Sequence, residues 1–186
     1  MPRAGGTKGM TEKEIKLRVA GPEAARVAVA RLGATLARPR HFEDNVLLDD
    51  ARGSLRAAGS VLRLRRTPTG SVLTFKGLGQ FEEGVKSREE VEAPVADADA
   101  LQVVLERLGF RPVFRYQKYR ETYAWRGQEI VIDETPIGTF FEIEGDVAGI
   151  QAAAVGLGYS RADHLTDSYV ALFFAGGGRG DMVFSK

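Results

Sequence analysis

Charged and apolar residues take turns along most of this chain. A period of two marks β-strands, whose successive side chains point to opposite faces. In EKEIKLRV, Glu12, Glu14, Lys16 and Arg18 share one face and Ile15, Leu17 and Val19 the other. VLRLRR sets Arg63 and Arg65 opposite Leu62 and Leu64, and SVLTFKG sets Thr74 and Lys76 opposite Leu73 and Phe75. SREEVE groups Arg88, Glu90 and Glu92 with Val91 behind, and KYRETYAW groups Lys118, Arg120 and Thr122 against Tyr119, Tyr123 and Trp125. EIVIDE sets Glu129 and Asp133 against Ile130 and Ile132, and FFEIEG sets Glu142 and Glu144 against Phe141 and Ile143. With the more ambiguous HFEDNVLLD, about eight strands are expected, which suits one sheet or a closed barrel.

Four other stretches read as helices. GPEAARVAVARLG has Pro22 in the first turn and Gly33 as a C-terminal cap. DADALQVVLERLG offers Asp97 or Asp99 as N-cap, a face of Leu101, Val104, Leu105 and Leu108, and Gly109 as stop. GDVAGIQAAAVGLG and RADHLTDSYVALFFAG are weaker candidates, the second packing Leu165, Tyr169, Leu172 and Phe173. An internal echo accompanies them. Glu12 and Glu14 precede a helix ending in RLG at Gly33, and Glu90 and Glu92 precede one ending in RLG at Gly109, so residues 11–79 and 86–145 read as similar halves.

The alternation leaves two arrangements open. Either the charged faces meet water, or the sheet closes into a barrel, helices outside, with the charges inside. The residues behind the charges are large, and the signs are segregated by strand where a solvent face usually mixes them. Burying so many charges requires opposite charges, metal ions or a charged ligand. Glu12, Glu14, Glu90, Glu92, Asp133, Glu142 and Glu144 would face Lys16, Arg18, Arg63, Arg65, Lys76, Arg88, Lys118 and Arg120. A polyanion carrying divalent cations matches such a lining, its oxygens taking the Arg and Lys donors and its metal the carboxylates.

Composition narrows the classes. The 186 residues suit one domain, and 26 basic against 25 acidic side chains give no bulk attraction to nucleic acid or acidic membranes. Zero cysteines exclude disulfides and thiolate metal sites. MPRAGGTKGM has no apolar h-region and VALFFA is too short to span a bilayer, so a soluble cytoplasmic protein is expected.

The ordered blocks Glu12-x-Glu14-x-Lys16, LRLR, LTFKG, REEVE, KYRETY and IDETPIGTFFEIEG resemble the CYTH domain family, which contains class IV adenylate cyclases and thiamine triphosphatases. The similarity covers about residues 11–175, flanked by an N-terminus (1–10) and a glycine-rich tail (176–186) that both read as flexible. The resemblance implies an α+β fold, an eight-stranded antiparallel β-barrel called the triphosphate tunnel, with flanking helices. It implies Mg2+ or Mn2+ held by Glu12, Glu14, Asp133, Glu142 and Glu144, and a small-molecule triphosphate held by Lys16, Arg63, Arg65, Lys76, Lys118 and Arg120. Arg18 and Arg88 join the triphosphate set by alternation alone. Glu14, Lys16, Lys118 and Glu142 are the expected catalytic groups. The leading expectation is an adenylate cyclase-like enzyme; the alternatives are a triphosphatase and a non-catalytic polyphosphate-binding module. A homodimer is compatible with this reading, and neither nucleic acid nor membrane is expected as partner.

Other features take plainer readings. Trp125 is expected to pack outside the barrel, and His41 and His164 to be surface or helix residues. KGLGQFEEG lacks the Gly-Lys-Ser/Thr ending of a P-loop and reads as a hairpin connection. Asp49, Asp50, Glu82 and Glu83 are expected as solvated loop charges, and Tyr169 as a brace for the last helix. Arg179-Gly180-Asp181 reads as a coincidence of the glycine-rich tail.

Overall fold

The structure, a computed structural model, describes residues 10–82 and 84–185. Residues 1–9, Glu83 and Lys186 lie outside it, so the expectation of a flexible N-terminus falls outside the described residues. In chain order the elements are β1 (Met10–Val19), α1 (Pro22–Leu32), β2 (Thr35–Asp49), α2 (Ser54–Ala57), β3 (Val61–Thr67), β4 (Gly70–Lys76), β5 (Gln80–Glu82), β6 (Val85–Val95), α3 (Ala98–Arg107), β7 (Arg111–Trp125), β8 (Gln128–Thr135), β9 (Gly138–Glu144), α4 (Val147–Gly156) and α5 (Tyr169–Ala175). The hydrogen-bonded order β1-β9-β8-β7-β2-β3-β4-β6, closed by β6 pairing back to β1, is an eight-stranded antiparallel barrel, with β5 added at the edge of β6. Closure removes the open edges that an eight-stranded sheet would otherwise present.

The alternation chose the faces. Ile15, Leu17, Ile130, Ile132, Phe141 and Ile143 point outward and are at most 1% exposed beneath α1 and α4. Each such side chain contributes about 1.5–3 kcal/mol relative to exposure. Trp125 joins this outer layer, its indole N–H donating to the Leu32 carbonyl at 3.1 Å. On the far side α3 covers Leu64 and Leu73 with Leu101 and Leu105. Local signals set the helix ends: Gly33 closes α1 at φ 77°, and Asp97 accepts the Asp99 and Ala100 N–H groups at the start of α3.

The internal echo is structural. Carrying β1, α1, β2, β3 and β4 onto β6, α3, β7, β8 and β9 turns every barrel pairing into another that exists: β1–β9 becomes β6–β4, and β2–β3 becomes β7–β8. The barrel is therefore two β-α-β-β-β units related by a pseudo-twofold axis.

Four expectations change. RADHLTDSYVALFFAG is not one helix. A capping box of Ser160 and Asp163 holds a single 3-10 turn, the Leu165 backbone pairs with Lys16, and Ser168 caps a helix confined to Tyr169–Ala175. Leu165 sits where β6 has stopped pairing with β1, so it takes up backbone groups the barrel leaves free. The glycine-rich tail is laid down for the same reason. β7 loses β8 beyond Tyr119, and Met182 fills that edge by exchanging hydrogen bonds with Arg115 and Gln117. Met182 is 1% exposed, and Asp181 of the Arg-Gly-Asp triplet accepts the Arg115 N–H at 2.8 Å. Asp49 is buried rather than solvated, because its carboxylate takes the Leu55 and Arg56 N–H groups that open α2. The hairpin connection after β4 contains the short strand β5. Among the described residues no helix is long and apolar enough to cross a membrane.

Candidate functional site

The inward faces enclose a cavity of about 1390 Å³. One mouth is polar, with Arg38, Thr122 and Glu129. The other is apolar, with Leu55, Leu78, Phe81, Val113, Val170 and Phe174. Between them lie Glu12, Glu14, Lys16, Arg63, Arg65, Lys76, Arg88, Glu90, Glu92, Lys118, Arg120, Glu142 and Glu144, so the charged faces of β1, β3, β4, β6, β7 and β9 share one lumen.

Two groupings of carboxylates emerge. Glu12, Glu14 and Glu144 each offer an oxygen within 4.8 Å of the others, the spacing of a divalent-cation site. Within the trio Glu12 meets Lys76 at 2.9 Å and Glu14 meets Lys16 at 3.1 Å, whereas Asp133 and Glu142 are each held by two cations. Asp133, fully buried, accepts from Lys118 at 2.9 Å, from Arg120 at 2.8 and 2.6 Å, and from the Tyr169 hydroxyl at 2.8 Å. Glu142 meets Lys16 at 3.2 Å and Arg120 at 2.6 Å. The structure therefore does not bring Asp133 or Glu142 into the cation-sized trio. Asp133 holds Lys118 and Arg120 in place from behind the cavity wall.

Electrostatics divides the acids differently: Glu14 and Glu144 of the trio rise, while Glu12 falls together with Glu142. Burial, then the Glu142 charge, pushes Glu144 up to about 8. Burial also raises Glu14, and Glu142 adds to that despite Lys16. Glu142 itself is held well below the usual range, since Lys16 and Arg120 outweigh its burial. Glu12 falls to about 2 because a Glu90 hydrogen bond and the Lys76 ammonium overcome burial, while burial and that same hydrogen bond raise Glu90 to about 7. A carboxyl that keeps its proton at neutral pH beside other acids, as Glu144 does, is one that a divalent ion would relieve. The residues present fit Mg2+ or Mn2+: all the donors are carboxylate oxygens.

The cationic wall has spare donors. Arg63 meets Thr74 at 3.2 Å and Glu92 at 3.5 Å; Arg65 meets Glu92 at 3.2 Å and Glu43 at 3.4 Å. Yet the Nε–H groups of Arg63, Arg65 and Arg88 are buried with no acceptor. Unpaired buried guanidinium donors call for an anion.

Arg18 is a correction. It shares the inward face of β1 but lies past the cavity, exposed, donating to the Ile137 carbonyl at 3.1 Å over the Phe140 ring. Alternation gives the face of a strand and not the height along the barrel. Tyr169 does more than brace its helix, since its hydroxyl bonds to Asp133. His41 has a carboxylate neighbour, with Nε2 3.5 Å from Glu43. Glu43 was missed altogether. It is 1% exposed, and Lys118, Arg120 and Arg65 hold it far below the ordinary carboxylate range against its burial. Its signal, His41-x-Glu43-x-Asn45, was masked by the adjacent Asp44. Lys86 was missed too, although it extends the Arg88, Glu90, Glu92 alternation by one step; burial and then Arg88 lower it to about 8.

The pseudo-twofold relates these side chains by sign. Strand registers make Glu12 equivalent to Arg88, Lys16 to Glu92, Glu43 to Lys118, Arg65 to Asp133 and Lys76 to Glu144. In every one of these pairs an acid in one unit replaces a base in the other. Glu14 is an exception, matching Glu90.

Comparisons with known proteins agree with this geometry. A family model described as the CYTH domain matches residues 10–169. A Methanocaldococcus jannaschii protein provisionally named an adenylate cyclase is 26% identical over 142 residues, 76% of this chain and 80% of that one. Among solved structures, a Vibrio parahaemolyticus protein provisionally described as an adenylate cyclase superposes with a TM-score of 0.77 at 22% identity, covering 90% of this chain and 99% of that one. A Hippeastrum protein, described as an adenylyl cyclase candidate with a dominant triphosphatase activity, gives 0.67 at 24% identity over 89% of this chain and 96% of that one.

Proposed function

This chain belongs to the CYTH domain family, and from that premise we propose that it is an adenylate cyclase-like enzyme converting ATP to cyclic AMP and pyrophosphate. One observation carries the reading: unpartnered Nε–H groups of Arg63, Arg65 and Arg88 line the same bore as the Glu12, Glu14 and Glu144 trio. Spare guanidinium donors and three carboxylates at cation-binding spacing, in one cavity, match a metal-bearing polyphosphate.

Glu12, Glu14 and Glu144 would hold Mg2+ or Mn2+, which supplies neutralisation of phosphate charge and activation of the attacking oxygen. Arg63, Arg65, Lys76 and Arg88 bind the phosphate chain beside that site. Lys16, Lys118 and Arg120, aimed by Glu142 and Asp133, meet the negative charge that grows on the leaving oxygens. In the cyclase reaction the ribose 3′-hydroxyl gives up its proton as its oxygen bonds to the α-phosphorus, the bond from that phosphorus to the bridging oxygen breaks, and pyrophosphate leaves with that oxygen, the proton passing to it or to solvent. The apolar mouth is where an organic group attached to the phosphates would seat; Leu78 and Phe81 are 67% and 63% exposed there.

The provisional cyclase name of the Methanocaldococcus relative supports this reading. A second reading, hydrolysis of a triphosphate at its γ-phosphorus, draws on the activity described for the Hippeastrum protein. Product analysis with ATP, inorganic triphosphate and thiamine triphosphate, each with Mg2+ and with Mn2+, separates them. Cyclic AMP with pyrophosphate is the expected result. Orthophosphate release would establish the hydrolase instead, and tight binding without turnover would overturn both.

A further inference from the structure

Glu43 and Asp133 are both buried carboxylates that face Lys118, but their contacts differ in kind. Asp133 is gripped at 2.6–2.9 Å by Lys118, Arg120 and Tyr169. Glu43 meets Arg65 at 3.4 Å and Lys118 at 3.6 Å, longer than the roughly 2.7–2.9 Å of a firm charge-assisted bond. Among the described residues its Oε2 accepts no hydrogen bond. Glu43 stands behind the wall, directly opposite Lys118 in the β2–β7 ladder, while Arg65, Lys118 and Arg120 line the cavity. A carboxylate so placed balances these cations and leaves their donors free.

The remaining close neighbour is His41, on the same face of β2, with Nε2 3.5 Å from Glu43. Its Nδ1 lies 2.9 Å from the Pro39 carbonyl, which can only accept, so the neutral ring carries its proton on Nδ1. Nε2 then turns a lone pair toward the carboxylate, and it is buried without a partner. Protonation converts that contact into a bond. The bond to Glu43 raises His41 above its ordinary value against burial, the Pro39 carbonyl helping and Arg38 opposing. The charged and titratable groups facing Glu43 are Arg63 and Arg65 from β3, Tyr116, Lys118 and Arg120 from β7, and His41 from β2. Arg120 stands opposite His41 in the ladder.

On the reading that the bore holds a phosphate chain, we propose that Glu43 is a positioning residue, a built-in rival to that chain for Arg65 and Lys118, and that protonated His41 draws the rival away. A phosphate oxygen reaching either cation displaces part of an existing attraction, so product is held less tightly and leaves more readily. Polyanion binding and His41 protonation each favour the other, by the reciprocity of linked equilibria.

The test is calorimetric titration of the full chain with magnesium pyrophosphate. Glu43→Gln keeps the shape and removes the competing charge, so it should bind pyrophosphate about fivefold more tightly or better. KM for triphosphate should fall with it, whereas loss of a merely structural contact would raise both constants. Wild-type affinity should weaken from about pH 6 to pH 9, as the gain present below the raised His41 pKa is lost above it. His41→Leu should make that slope shallower. The His41 side chain is 15% exposed, and this variant decides the matter even if Glu43→Gln does not fold. Equal or weaker pyrophosphate binding by folded Glu43→Gln, or superimposable pH profiles of wild type and His41→Leu, would overturn the proposal alone. A wild type that binds neither pyrophosphate nor triphosphate would remove the polyphosphate reading and the proposal with it.

Discussion

Asp133→Asn tests the division of labour among the buried acids. In the structure Asp133 is fully buried and receives Lys118, both arms of Arg120 and the Tyr169 hydroxyl, so it neutralises two cations without touching the cavity. Asparagine keeps the shape but removes the charge, and its amide presents hydrogens to groups that are themselves donors. Removing one member of a buried ion pair costs about 3–5 kcal/mol. Glu142 still faces Arg120 and Glu43 still faces Lys118, so the lower end, about 3 kcal/mol, is the expectation. For a chain of this size that corresponds to a fall in Tm of about 6–12 °C. Triphosphate should restore part of the loss, because its oxygens replace the missing counter-charge. Mn2+ affinity of the free protein, measured by calorimetry, should change less than twofold. A variant with unaltered Tm and a tenfold weaker Mn2+ affinity would refute this assignment and return Asp133 to the metal ligands.

Further outcomes follow from the same geometry. Glu142→Gln should lower kcat about 100-fold or more in the product assay while circular dichroism stays native; a fully active variant would contradict its place in the lumen. Glu144 is raised from 4.5 to about 8, so its bound proton stabilises the fold fully below pH 4.5 and that stabilisation is lost as pH rises to 8. Metal-free melts should therefore show a downward drift in Tm between pH 5 and pH 8 that Glu144→Gln flattens and saturating Mg2+ offsets; parallel wild-type and variant profiles would exclude the effect. Met182→Ala should cost about 2–5 kcal/mol in urea unfolding, because the last residues pack rather than wave; an unchanged midpoint would restore the loose tail.

The barrel was legible in the sequence because both of its faces are written in period two, with Phe141 and Ile143 on one side and Glu142 and Glu144 on the other. The duplication was legible in two RLG helix ends. What stayed hidden was set by contacts between distant segments. Arg18 has the right face and the wrong height, which only the pairing with Phe140 reveals. Asp133 and Glu144 look alike as acids on neighbouring strands, but the register gives one to Arg120 and leaves the other beside Glu14. Leu165 and Met182 dock because strands of unequal length leave backbone edges, a fact of stagger with no local signature.

The sign reversal between the two units has an electrical outcome. An object with a true twofold axis can carry no dipole at right angles to that axis, so a barrel of two identical halves would be electrically level from wall to wall. Here Arg65, Lys76 and Arg88 stand across from Asp133, Glu144 and Glu12, while Lys16 against Glu92 and Lys118 against Glu43 run the other way, so the exchange of charge leaves a transverse component that a true twofold would cancel. In a medium less polar than water such a transverse field acts strongly over a few ångströms. An anionic chain inside would be drawn to one side and its metal to the other before any single contact is perfected.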